Sequence, residues 1–239
     1  MEYFVKIPNN FIKCDIEKDF DVTPSFYVVY YLLNNNRNIR NQSFMSIKEI
    51  MDIYSAECTP RKPKIFNDIV KSINKMEELN LIHPLNTPSV LRYESFLKYQ
   101  ICDTFDSSCD FTIFTEKELL NIMNIDSAIT KDILLRVYLY IKANIIKRLS
   151  YQEKTPENPE AFFKNIKTSA EEIGIHYNTF YSAIEELCKG ENPLLIKSNV
   201  IHRSSKNTPA CSPRAIVINK IGWKEELNNA VSALRNISA

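Results

Sequence analysis

A hydrophobic pattern that occurs twice along the chain constrains its fold more than any other feature: a helix, a short helix, a longer helix and then two strand-like runs. In the first occurrence, TPSFYVVYYLLNN, from Thr23 to about Asn34, is apolar on most faces. A Thr cap and a Pro at the first helical position precede it, so the segment reads as a buried helix. The polar run NNNRNIRNQ ends it. SIKEIMDIY follows, with Ser46 and Glu49 in capping-box spacing and Ile47, Ile50, Met51 and Tyr54 forming an apolar stripe, which predicts a short second helix. Beyond the break SAECTPRKP, the residues Phe66, Ile69, Val70, Ile73, Met76 and Leu79 recur at helical spacing from about Pro63 to Asn80. LIHPL and YESFLKYQI, around a bend containing Pro and Ser, predict a hairpin.

The acidic, irregular text ICDTFDSSCDFTIFTEKE reads as a boundary, dividing the chain into 1–105 and 106–239. The plan then returns. TEKELLNIMN is a modest helix capped by Thr115 with Glu118 in box spacing, and KDILLRVYLYIKANIIKRL is a long helix. SYQEKTPENPEAFFKN is a surface connection whose end, Phe162 and Phe163, packs down. Ser169 and Glu172 open a short helix, Gly174 supplies a sharp turn, and Phe180, Ile184 and Leu187 form the buried stripe of the next helix. The strands LLIKSNVIH and AIVINK flank the polar loop SSKNTPACSPR, and GWKEELNNAVSALR closes the chain as an amphipathic helix.

The expected fold is therefore mainly α with small β-hairpins (α+β), as two tandem winged-helix domains, the second carrying a terminal helix. A hydrophobic fraction of 44% in 239 residues supports real cores and excludes wholesale disorder. Six cysteines without a C-x-x-C pair and three dispersed histidines argue against a zinc module or a disulfide framework. The three glycines are isolated, which removes the P-loop and the dinucleotide fingerprint. The start MEYFVKIPNNFIKCD has no secretory pattern and no run approaches a membrane helix, so a cytoplasmic protein without membrane association is expected. Adjacent carboxylates such as Glu171 and Glu172, or Glu185 and Glu186, diverge around a helix, and no catalytic constellation, metal site or cofactor is read.

The segment AEEIGIHYNTFYSAIEEL, Ala170 to Leu187, resembles the helix-turn-helix of many winged-helix DNA-binding proteins. The opening FVKIPNNFI, with the helices from Ser46 to Leu85, is similar to the beginning of plasmid replication initiators and phage replisome organisers of low-GC bacteria. That similarity spans about a third of the chain. It implies binding to repeated origin sequences in double-stranded DNA and recruitment of replication machinery such as a helicase.

In a helix-turn-helix the start of the second helix approaches base edges, so Tyr177, Asn178, Tyr181 and Ser182 are the candidate readers. The alternative makes them ordinary polar helix positions, with Asn178 assisting the cap. His176 stands at the turn, where a cap or packing role competes with a phosphate contact. Lys189 to Lys224 holds seven Lys or Arg residues against one acid, Glu191, in a chain whose net charge is +1. Within that window Arg203, Lys206 and Arg214 surround the expected wing and are candidate phosphate contacts; a merely solvated hairpin is the alternative. Lys62, Lys64, Asn67 and Lys71 offer a comparable face in the first half, interrupted by Asp68. The expectation is thus a non-enzymatic DNA-binding protein, a replication initiator or replisome organiser of a plasmid, phage or other mobile element. A homodimer remains open. A sequence-specific transcriptional regulator and a winged-helix protein-interaction adaptor are the alternatives.

Overall fold

The computed structural model describes residues 4–13, 25–54, 62–102, 110–145, 153–199 and 214–237. Within them lie nine helices and seven strands in small antiparallel sheets, a mixed α+β fold. The chain forms two compact units, Met1–Arg136 and Val137–Ala239.

The first unit opens with β1 (Phe4–Pro8) and α1 (Asn9–Lys13) and then enters α2 (Phe26–Asn35). Every residue of α2 from Phe26 to Leu33 is buried, as its apolar faces require. The Tyr27 hydroxyl donates to the Phe11 carbonyl at 2.8 Å, which satisfies a buried polar atom. Ser25 precedes the helix without a side-chain cap; Thr23 and Pro24, the expected start, lie outside the described residues.

Next come β2 (Gln42–Ser46), α3 (Ile47–Ile53) and α4 (Lys62–Glu78), followed by β3 (Ile82–Pro84) and β4 (Phe96–Ile101). The Ser46 hydroxyl accepts from the Glu49 backbone N–H at 3.1 Å, and the Glu49 carboxylate accepts from the Ser46 N–H, completing the expected box. Strand β2 was not legible in the polar text that precedes Ser46. It pairs antiparallel with β4, which pairs with β3, so the sheet order is β2–β4–β3. Ile69, Ile73 and Met76 anchor α4 in the core beneath it.

The remaining strand, β5 (Phe111–Thr115), leads directly into α5 (Glu116–Met123), whose Thr115–Glu118 capping box forms as expected. β5 pairs with β1, from Phe4 opposite Thr115 to Pro8 opposite Phe111. That pairing draws residues 111–115 into the first unit, and the division falls at Arg136/Val137, inside α6 (Lys131–Asn144), rather than at 105/106. The irregular acidic text conceals a strand whose partner lies at the other end of the unit.

The second unit continues from α6, buried on all sides from Val137 to Ile141, into α7 (Ile166–Glu172), α8 (Tyr177–Leu187), the hairpin β6 (Leu195–Asn199) and β7 (Arg214–Ile218), and α9 (Trp223–Ile237). Phe162 forms a bridge with Ile216 of β7, so a single residue stands where β2 stands in the first unit. Its neighbour Phe163 stays exposed, correcting the expectation that both pack down. Ser169 is a second correction. It lies buried within α7, because Asn165 takes the cap by accepting from the Lys167 and Thr168 N–H groups. In α9, Leu227, Ala230 and Leu234 pack with Ala161, Ala215 and Val217, so the apolar stripe of the last helix is spent within its own unit.

Candidate nucleic-acid interface

The turn into α8 is set by backbone chemistry. Gly174 adopts φ +63°, and the N–H groups of Gly174 and Ile175 donate back to the carbonyls of Glu171 and Ala170 at 3.1 and 3.0 Å. This closes α7 in a Schellman arrangement that a side chain at position 174 would strain. His176 then caps α8, its Nδ1 accepting from the Asn178 N–H at 3.2 Å. The histidine therefore serves as a cap, the first of the two roles open to it, and the Asn178 side chain is left exposed on the first turn.

Phe180, Ala183, Ile184 and Leu187 bury one side of α8. Phe180 meets Tyr140 edge-on at 5.9 Å, and Tyr140 meets Phe162 at 6.1 Å. Of the four candidate readers, Tyr177 and Asn178 are exposed and Tyr181 and Ser182 half-buried; Asn178 and Ser182 lie opposite the buried stripe, and the two tyrosines flank it. The rings of Tyr177 and Tyr181 lie 6.5 Å apart, and Lys197 of β6 sits over the Tyr181 ring at 6.0 Å.

The charge around α8 departs from the sequence count. Lys197 pairs with Glu185, Lys189 with Glu186 at 2.7 Å, and Lys220 with Glu160. Three of the seven cations between Lys189 and Lys224 are thus matched by acids outside that window, one of them three residues away and two at a distance that counting along the chain could not reveal. Arg203 and Lys206 lie outside the described residues; Arg214 opens β7, and its side chain is likewise outside them. Burial pushes the Cys188 thiol up to about 11, with Lys197 opposing and Glu185 adding to the rise, the direction of an unreactive thiol.

In the first unit, Lys64, Asn67 and Lys71 form an exposed stripe on α4. Lys62 begins the same helix, and its side chain lies outside the described residues. Asp68, expected to interrupt the stripe, is half-buried and close enough to act electrostatically on a polar contact that the sequence did not announce. There the Tyr54 hydroxyl donates to Asp132 Oδ1 at 2.8 Å. Burial raises the Asp132 carboxyl to about 6; the Tyr54 hydrogen bond and Lys64 oppose the rise, and Asp68 adds to it. Tyr54 is pushed well above its ordinary value by burial and then by Asp132.

Among the described residues no group of three or more His, Cys, Asp or Glu side chains is placed to hold a metal ion, and no helix is long and apolar enough to cross a membrane. No family model, curated protein or solved structure matches the chain.

Proposed function

We propose that this chain is a DNA-binding protein of two winged-helix units in tandem, with α4 and α8 as the helices that enter the major groove. Its task is replication initiation or replisome organisation on a plasmid, phage or other mobile element. The observation that carries the reading is the repeated order. Helix, strand, short helix, longer helix and hairpin run as α2–β2–α3–α4–β3–β4, with β2 beside β4, and again as α6–Phe162–α7–α8–β6–β7, with Phe162 beside β7. In both series the longer helix buries an apolar stripe and turns a polar one to solvent, as a groove-reading helix must. The replication role, with a helicase as partner, rests on the likeness of FVKIPNNFI to replication initiators and organisers.

Asn178 suits adenine, which offers N6 and N7 to one amide, while Lys64 and Lys71 suit phosphates. A second reading, a protein-binding adaptor, is favoured by one observation: the acids of α8 neutralise the lysines beside it, leaving a face dominated by Tyr177 and Tyr181. Titration of duplex DNA across a salt series separates the two. Binding is expected to weaken with salt, and Lys64→Ala with Lys71→Ala should make the slope of log K against log salt shallower by about 2. A combined Arg203→Ala, Lys206→Ala, Arg214→Ala variant should flatten it further. Absence of duplex binding by the folded protein at low salt excludes the DNA reading and leaves the adaptor.

A further inference from the structure

One surface of the first unit has no part in that proposal. The sheet β2–β4–β3 buries Ser43, Met45, Leu97, Tyr99 and Ile101, so by strand alternation Gln42, Phe44, Ser46, Phe96, Lys98 and Gln100 share its other face. Phe44 is 38% exposed and Phe96 56%, so two neighbouring aromatic rings face outward on this sheet. Phe44 stands opposite Lys98, whose ammonium lies 5.3 Å from the ring centre, and Phe96 stands opposite Ser46, diagonal to Phe44. Lys98 has no ion-pair partner among the described residues. Gln100 donates to the carbonyls of Arg40 and Asn41 at 3.0 and 3.3 Å, which fixes the turn bearing the exposed Arg40 to one end of this face. The Glu49 carboxylate, at the other end, is engaged by the Ser46 N–H and hydroxyl.

We infer that this sheet face is a platform for single-stranded nucleic acid. Two aromatic rings on adjacent strands with a lysine beside both, and the Gln42 amide at the edge, supply what an unpaired strand needs. The rings stack on bases, the cation meets phosphate, and the Gln42 amide meets base edges. The core of an interface between protein chains is depleted in lysine, whereas here Lys98 stands at the centre of the face beside both rings. None of the six outward positions of β2 and β4 is aliphatic or acidic, and the exposed His83 of β3, opposite Gln100, shares their face. The platform stands on residues separate from α4 and α8, and it can fail while duplex binding holds.

The test is fluorescence anisotropy of the full chain with a labelled oligothymidylate, in parallel with duplex. Wild type is expected to bind the single strand. Phe44→Ala with Phe96→Ala should weaken that binding about tenfold or more and leave duplex affinity unchanged. Phe96→Trp should retain binding, with the new indole quenched by the oligonucleotide. Should the double variant lose its circular dichroism signature, Phe96→Trp quenching and a weaker, less salt-dependent Lys98→Gln variant decide instead. No binding of the oligonucleotide, or binding that neither Phe44→Ala with Phe96→Ala nor Lys98→Gln reduces, overturns the inference. A double variant that dissociates a dimer in sedimentation while keeping its oligonucleotide affinity also overturns it, and assigns the face to a second copy.

Discussion

Phe180→Ala is expected to destabilise the second unit by about 3–5 kcal/mol, because it removes a fully buried ring that α8 alone contributes to the core. The lost contacts are specific. Phe180 packs edge-on against Tyr140, which in turn packs on Phe162, the residue that bridges to β7. A cavity there cannot collapse without shifting α8 or the hairpin. The readout is local, since Trp223 is the only tryptophan and sits half-buried against the core of the second unit. Urea unfolding followed by tryptophan fluorescence should show a midpoint well below that of wild type. A change under about 1 kcal/mol would mean that Phe180 does not seat α8.

The second large effect is a dependence on pH that belongs to Asp132. Its carboxyl titrates near 6 in the folded chain against an ordinary value of 3.8. Between those values the folded state holds a proton that the unfolded state has released. This group's contribution is therefore most favourable below about pH 3.8, and declines as pH rises to about 6. A shift of that size corresponds to a loss on the order of 3 kcal/mol across the window, set by burial against the opposing pull of the Tyr54 hydrogen bond and Lys64. Asp132→Asn keeps an acceptor for Tyr54 and removes the titration. Relative to wild type it should gain stability from pH 4 to pH 7 and then level off, read by denaturant unfolding with far-ultraviolet circular dichroism. A difference that is flat across this range would show that Asp132 is not perturbed. Asp68 and Lys64 of α4 both act on Asp132, so the titration also bears on the helix that carries the Lys64–Lys71 stripe.

Features encoded within a few residues were legible in the chain, and those made by distant partners were not. Ser46 with Glu49 and Thr115 with Glu118 announce helix starts because the box closes within one turn. Gly174 announces a helix end because the left-handed backbone there suits glycine. Asn165 displaced Ser169 as a cap because two polar residues competed for one role and local pattern does not rank them. Strand β5 escaped notice because FTIFT acquires meaning only beside FVKIP, across the whole first unit. The candidate site divides in the same way. The helical period placed Asn178 and Ser182 on the outward side of α8, and Tyr177 owes its exposure to standing in the first turn. The electrostatics around them depend on Glu160 and Glu185 reaching Lys220 and Lys197, pairs made by folding that a charge count does not show, whereas Glu186 and Lys189 stand one turn apart. The outward Phe44 and Phe96 were equally hidden, since their exposure follows from a pairing between β2 and β4.

Base reading by α8 is tested most directly by selection from a randomised duplex pool, run with wild type and with Tyr177→Ala combined with Asn178→Ala. If α8 reads base edges, wild type will enrich a defined sequence, and the variant will lose preference at the positions that α8 contacts while still binding duplex. A wild-type pool no more ordered than its starting material, or a variant that recovers the same sequence unchanged, would contradict it.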